Sequence, residues 1–260
     1  MFSLRILLAV PLLGAGLMAA APFYSASSIV NSADGQPGEL APNTIATVYG
    51  TALAWGTKAL TPEDVRAGVL PTTLPGTGVR VLIGGLPANL YYVSPTQINF
   101  LVPVNLLPGK SDFQIVVDAL WGPLVPIQIA PAAPAMFQAD LQTPIATHVD
   151  GSLVTSGNPA QPGSYVILFA TGLGQTSPPC VYGQLPTQAA PLRQLAGFRI
   201  WLDGNAVDPP AIAYAGIAPG FAGLYQINLR IPDGASANPE IRIGFDDAPS
   251  IAGLRLPLQP

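Results

Sequence analysis

The chain has 260 residues, of which 49% are apolar and only 9% are charged, against roughly a quarter charged in a typical soluble domain. Its net charge of −4 and the lack of a basic run in the mature part disfavour nucleic acid and anionic membrane surfaces as partners. One cysteine, Cys180, and one histidine, His148, exclude an intrachain disulfide framework and a Cys/His metal cluster, so no cofactor is expected.

The N-terminus carries the pattern of an export signal. Arg5 precedes an apolar run from Ile6 to Ala21, which glycine and proline interrupt and which ends in small residues. The run is too short and too broken to span a bilayer comfortably. We predict a signal peptide over residues 1–21, cleaved between residues 19 and 28. The mature chain would lack a membrane span and be secreted, periplasmic or on the cell surface; an uncleaved anchor is the alternative.

Short strands are favoured along the rest of the chain, because 30 prolines and 27 glycines interrupt almost every window long enough for a helix. In residues 97–102, three apolar side chains alternate with the others and share one face of a strand. Asp150-Gly151 predicts a tight hairpin between residues 147 and 153. One short helix is predicted near Thr61–Arg66, with Thr61 as its cap.

Three segments of the chain recur in the same order, which predicts an internal repeat. The offset between the copies grows from about 120 to 129 residues. This growth predicts an insertion of about ten residues in the second copy, around residues 213–223. The matched pairs are Pro42–Leu53 with Pro162–Leu173, Val79–Gly85 with Phe198–Gly204, and Gln97–Pro103 with Gln226–Pro232.

The repeat and the strand spacing together predict an all-β fold: two tandem immunoglobulin-like β-sandwich domains after the signal peptide. We place the first domain at residues 25–130 and the second at residues 135–260. The segment Ala130–Pro134 contains two prolines among alanines and predicts a short, extended connector.

The ordered motifs also resemble a known family. They are Ser27–Ala33, Tyr91–Phe100, Ala170–Gly174 and Ala215–Asn228. In this combination they are similar to the uncharacterised C-terminal domain family abundant in acidobacteria of the Solibacter type, over nearly the whole mature chain. The resemblance implies an extracytoplasmic location and a fold similar to tandem IPT/TIG immunoglobulin-like domains. It implies no reaction.

Two polar motifs and two tryptophans are the candidate site residues. Gln97 with Asn99, and Gln226 with Asn228, put paired amides on the outer face of equivalent strands. Their presence in both copies favours a structural role, bonding nearby loop backbone, over a ligand site. Trp55 and Trp121 fall in loop-like stretches, where they could stack on a sugar, anchor a protein or pack over the sandwich end. Trp201, inside a strand block, is expected in the core.

Little in the sequence indicates catalysis. His148 lies beside the predicted hairpin turn, and no Gly-x-Ser-x-Gly elbow is present. Asp246 and Asp247 are neighbours that a strand would point to opposite faces, which favours a turn, and a calcium-binding loop stays open as an alternative. Cys180 is expected to be an unreactive thiol, buried or half-buried under its loop.

We therefore predict a non-catalytic, exported structural, adhesion or binding module that contacts an extracellular protein or glycan. A secreted hydrolase of the glycosidase type, using two carboxylates, is one alternative. A carbohydrate-binding protein that uses its loop aromatic residues is the other.

Overall fold

A computed structural model describes residues 20–259, and these residues form an all-β protein with no α-helix among them. Antiparallel sheets are packed face to face in two successive β-sandwiches, which confirms the predicted tandem immunoglobulin-like fold class. Most of the predicted signal peptide lies outside the described residues. No helix in the described part of the chain is long and apolar enough to cross a membrane.

The first sandwich pairs a sheet of order β1-β2-β7-β6-β3 with a sheet of order β10-β8-β4-β5, in which β9 extends β8 as a short hairpin. The strands are β1 (Ile29–Asn31), β2 (Ile45–Tyr49), β3 (Lys58–Ala59), β4 (Val79–Ile83), β5 (Leu86–Pro87), β6 (Asn89–Val93), β7 (Gln97–Leu101), β8 (Gly109–Val117), β9 (Leu120–Trp121) and β10 (Val125–Ile129). Single 3₁₀ turns lie at Ala26–Ser28 and Pro62–Asp64.

The second sandwich repeats this plan, with sheets of order β11-β13-β18-β17-β14 and β16-β15-β19-β20. Strand β12 pairs with β13, and 3₁₀ turns lie at Leu195–Gly197 and Pro209–Ala211. The strands are β11 (Ala135–Met136), β12 (Ala146–His148), β13 (Tyr165–Thr171), β14 (Ala190–Pro191), β15 (Arg199–Leu202), β16 (Asn205–Ala206), β17 (Ile212–Ile217), β18 (Tyr225–Arg230), β19 (Ile241–Phe245) and β20 (Ala248–Pro249).

The strands equivalent by position fall on the segments that match in sequence: β2 with β13, β4 with β15, and β7 with β18. Both copies even share an irregularity of register, between β6 and β7 at Leu90/Tyr92 and between β17 and β18 at Ile212/Tyr214. Most of the predicted insertion lengthens the β17–β18 hairpin, whose loop covers residues 218–224 where the first copy has residues 94–96. The internal repeat is confirmed, whereas the exact domain limits, 25–130 and 135–260, stay a prediction.

Each sandwich has its own apolar core, built by alternation along its strands. Ile98, Phe100 and Val102 are fully buried, as their periodicity predicts. The hairpin at Asp150-Gly151 is confirmed, because Thr147 pairs with Leu153 across it. The expected helix is a single 3₁₀ turn, whose cap residue Thr61 donates its backbone N–H to the Asp64 carboxylate.

The expectation for Trp201 was wrong. Its strand neighbours Ile200 and Leu202 take the inward positions, so Trp201 is half-buried on the outer face of β15. A side chain between two inward-facing neighbours on a strand must point away from the core, however apolar it is.

The two sandwiches pack against each other through a small apolar cluster. Leu101, on the outer face of the first sandwich, is buried with Leu70 against Ala222 from the β17–β18 loop. Thr171 adds hydrogen bonds to this contact between the repeats. Its hydroxyl accepts the N–H of Ile45, in the first repeat, at 2.9 Å and donates to the carbonyl of Gly223, in the second repeat, at 2.7 Å. The inserted loop of the second repeat therefore docks on the first repeat.

Candidate functional site

Phe23, Trp55 and Trp121 are exposed aromatic side chains at the end of the first sandwich that points away from the second, where Tyr49 is exposed as well. Phe23 is 69% exposed, Trp55 is 50% exposed and Trp121 is 55% exposed. We call this surface the aromatic tip. Large exposed apolar patches mark contact sites on soluble proteins, whereas scattered single residues do not, so the relative positions of these side chains decide whether the tip is a contact site.

Trp55 and Trp121 belong to different loops, and Asp118 connects them. The indole N–H of Trp55 donates to a carboxylate oxygen of Asp118 at 2.8 Å. Asp118 occupies the turn of the β8–β9 hairpin, whose second strand carries Trp121. The structure thus brings together both tryptophans that the sequence singled out, and it fixes the orientation of Trp55.

Phe23 reaches the tip because Tyr24 holds the incoming segment in place. The Tyr24 hydroxyl donates to the Pro123 carbonyl and accepts the Ile115 N–H, each at 2.7 Å. Burial raises the pKa of Tyr24 to about 12, although the hydrogen bond from Ile115 acts in the opposite direction. Phe23 itself forms two backbone hydrogen bonds with Thr51, both of 3.0 Å.

The twin amide motifs lie where the alternation placed them, on the outer faces of β7 and β18. Gln97 donates its amide to the Asn99 carbonyl oxygen at 2.8 Å, and Gln226 does the same to Asn228 at 2.8 Å. Each pair bonds within its own strand, where we expected bonds to loop backbone. The two motifs are 129 residues apart in equivalent strands, and neither belongs to the aromatic tip.

Cys180 is half-buried where the two repeats meet. Its sulfur lies 3.6 Å from the Asn43 side-chain nitrogen and 3.5 Å from the Thr176 hydroxyl. Burial raises the pKa of this thiol. A cleft of about 270 Å³ beside it is lined by residues of both repeats, including Arg193 and Gln175.

Three of the fourteen carboxylates, candidates for the pair that a hydrolase would need, line one groove of the second sandwich. This groove, of about 800 Å³, is lined by Asp203, Asp208 and Asp233. Hydrogen bonds from Ser236 and Glu240 lower the pKa of Asp203, and Asp233 pairs with Arg230, whereas a general acid needs a raised pKa.

Other candidates for catalysis or metal binding have structural partners. His148 shares a hydrogen bond between its ring and the Asn158 carbonyl on an exposed hairpin. Burial raises the pKa of Asp34, but this carboxylate accepts the Gln36 N–H within a tight turn. Within residues 20–259 no three Asp, Glu, His or Cys side chains are grouped to hold a metal ion.

Comparisons with known proteins add little to this geometry. No protein-family model and no curated protein match the chain, so the resemblance to the acidobacterial family stays a prediction. Among solved structures, the chain is similar to SGBP-B of the Bacteroides ovatus mixed-linkage glucan utilization locus, solved with a mixed-linkage heptasaccharide. The identity is 11%, the match covers 94% of this chain and 47% of that one, and the TM-score is 0.36.

Two further solved structures show the same low level of similarity. The surface glycan-binding protein PbSGBP-B from Prevotella bryantii matches at 11% identity over 92% of this chain and 43% of that one, with a TM-score of 0.29. The tandem Ig repeats of Dlar match at 11% identity over 92% and 95%, with a TM-score of 0.22. The chain spans about half the length of the two glycan-binding proteins.

Sequence reasoning missed Phe23, Tyr24 and Asp118. Tyr24 and Ile115, which share a hydrogen bond, are 91 residues apart in the chain, and nothing local signals such a pairing. Asp118-Ala119, between two β-prone runs, was the available signal for a turn at the tip.

Proposed function

We propose that the mature chain is an exported, non-catalytic binding module whose contact surface is the aromatic tip. The observation that carries this proposal is the hydrogen bond that holds the exposed Trp55 on the turn of the hairpin that carries the exposed Trp121, with the exposed Phe23 at the same end of the sandwich. Aromatic residues, tryptophan above all, dominate the binding energy of contact surfaces.

The arrangement of the tip also supports the proposal. Because Asp118 accepts the indole N–H of Trp55, the ring has a defined orientation before a ligand arrives. A side chain that is already ordered loses less conformational entropy on binding. Trp55 and Trp121 are about half exposed, so packing in the core does not account for the presence of tryptophan at these two positions.

The test is a screen of the mature chain against extracellular glycans and surface proteins, followed by binding of the double variant Trp55→Ala/Trp121→Ala. We expect the variant to bind the best ligand at least about tenfold more weakly, a change of about 1.4 kcal/mol. Tyr165→Ala, which removes an exposed aromatic residue from the second sandwich, is the matched control. Equal loss in both variants, or none in the double variant, would reject the aromatic tip as the contact surface.

A further inference from the structure

A row of outward-facing side chains continues from the aromatic tip onto the second sheet of the first sandwich. Trp121 on β9 pairs with Val116 on β8, and Val116 pairs with Arg80 on β4. Ile115 and Val117 belong to the core, so Val116 and its two partners face outward. Since neighbouring strands are about 4.8 Å apart, the Cα atoms of Trp121 and Arg80 are separated by about 10 Å.

Both ends of this row are available to a ligand. Val116 in the middle is fully buried although it faces away from the core, as expected where Trp121 and Arg80 flank it. The ion pairs in the described part of the chain are Lys58–Asp64 and Arg230–Asp233, so no carboxylate neutralises Arg80 there. The Gln114 amide donates to the Gly122 carbonyl at 2.9 Å, which fixes the hairpin beside Trp121.

The shape of the surface indicates an extended ligand. Small-molecule sites are concave and bury most of their ligand. Five clefts of about 230 to 800 Å³ lie elsewhere in the described residues, and none of these five is lined by Phe23, Trp55 or Trp121. An open row of about 10 Å is longer than one sugar ring and suits several consecutive units of a chain.

The chemistry of the row suits sugars. A pyranose ring presents C–H bonds with a weak positive charge, which pack against the negative face of an aromatic ring such as Trp121. The Arg80 guanidinium supplies five N–H donors for hydroxyl oxygens. Asp118, of opposite charge, lies in the turn beside the row, and the whole chain carries a net charge of −4, so an anionic polymer would be repelled.

On the basis of the proposed function, we infer that the aromatic tip binds an uncharged, extended polysaccharide. One pyranose ring stacks on Trp121, and a later unit of the same chain accepts hydrogen bonds from Arg80. Trp55, held by Asp118, enlarges the stacking surface.

The experiment is affinity electrophoresis of the mature chain in gels that contain hydroxyethyl cellulose, xylan, galactomannan or, as the anionic arm, polygalacturonate. We expect at least one neutral polymer to retard the chain more than polygalacturonate does. Trp121→Ala should abolish the retardation, and Arg80→Gln should weaken binding about fivefold to tenfold. Lys110→Gln, which changes an outward-facing cation of the neighbouring strand β8, should leave binding unchanged.

Length dependence provides a second measurement. Calorimetry with the matching oligosaccharides should show affinity that rises from one sugar unit to about three, and Trp121→Phe should retain part of it because a stacking ring remains. Urea unfolding of each variant separates a loss of binding from a loss of folding.

The outcomes separate this inference from the proposed function. Tight binding of a monosaccharide, stronger retardation by polygalacturonate, no retardation by any neutral polymer, or an Arg80→Gln variant equal to the wild type would each overturn the polysaccharide inference. A protein ligand that is lost in the Trp55→Ala/Trp121→Ala variant would overturn it too, while leaving the proposed function intact.

Discussion

The two repeats use the same end of the same fold in opposite ways. In the second repeat this end carries long loops, residues 172–189 and 218–224, and both dock on the first repeat. In the first repeat the equivalent loops are shorter, residues 50–57 and 94–96, and the first of them carries the exposed Trp55. The insertion seen in the sequence is therefore one of the two loops through which the second repeat contacts the first.

The opposite ends of the repeats differ as well. On the first repeat, Ile45 and Leu101 form the apolar acceptor for the docking loop. Strand pairing makes Tyr165 and Arg230 their counterparts on the second repeat, and these two residues are polar and partly exposed. At these positions the second repeat therefore presents polar side chains where the first repeat presents an apolar surface to the docking loop.

The largest expected effect comes from separating the repeats. Each has a complete core, so residues 25–130 and 135–260 should each give a dispersed amide spectrum alone. Burial of Leu70 and Leu101 at the joint is worth about 1.5–3 kcal/mol for each residue. We expect the first half alone to be less stable to urea by several kcal/mol. Two unfolded halves would show that the sandwiches depend on a shared joint and would reject our domain limits.

The docking loop itself offers a sharper test. An added Cβ at Gly223 would lie 2.6 Å from a Leu101 methyl carbon and 2.7 Å from an Ile45 side-chain carbon, at a φ of +76°. Overpacking and the positive φ together should make Gly223→Ala cost about 2–4 kcal/mol in urea unfolding. Gly220→Ala is the matched control, because its φ is +84° but nothing lies within 4 Å, so it should cost only about 1–2 kcal/mol. Equal costs would mean that the loop does not dock tightly.

The strands and their repeat could be predicted from the sequence, because alternation and turn residues are local signals. It could not show which outer faces are covered. Leu101 shares the outward side of β7 with Gln97 and Asn99, and only the second repeat, about 120 residues away, buries it. Periodicity assigns a side chain to a face, but long-range packing decides whether that face meets water.

The candidate site was predictable only in part for the same reason. Trp55 and Trp121 stood out as aromatic residues in loop-like segments. Their convergence depends on one hydrogen bond between residues 55 and 118, and the amides of Gln97 and Gln226 bond within their strands instead of to loop backbone. Side-chain partners at such separations leave no periodic trace in a single sequence.

A smaller effect on the free energy of unfolding is expected at Tyr24, which holds the segment that leads into the first sandwich. Tyr24→Phe removes a hydroxyl that satisfies the buried N–H of Ile115, which should cost about 1–3 kcal/mol at pH 8. As the pH rises, the free energy of unfolding of Tyr24→Phe should also fall less than that of the wild type. Because the pKa of Tyr24 is raised to about 12, the folded state holds this proton while the unfolded state releases it near pH 10. Its contribution to stability is complete below pH 10 and falls as the pH rises from about 10 to about 12.

The measurement is the free energy of unfolding of the wild type and of Tyr24→Phe at pH 8, 10 and 11, with Tyr49→Phe as a control for an exposed hydroxyl at the same end. The wild type should lose more stability between pH 10 and 11 than Tyr24→Phe does. Parallel curves for the two proteins would show that Tyr24 is not protected by burial.

The smallest expected effect concerns Cys180. The labelling rate of its thiol shows whether the loop of residues 172–189 stays docked on the first repeat. The Cys180 sulfur has two long polar contacts, at 3.5 and 3.6 Å, so Cys180→Ala should change the free energy of unfolding by less than about 1 kcal/mol. Burial raises the pKa of the thiol, and only the thiolate reacts, so native labelling at pH 8 should be at least about tenfold slower than labelling in urea. Gly223→Ala, which disturbs the joint, should accelerate native labelling, whereas Tyr24→Phe, at the far end of the first repeat, should not. If labelling is as fast in the native wild type as in urea, Cys180 is not protected and the loop of residues 172–189 does not stay docked.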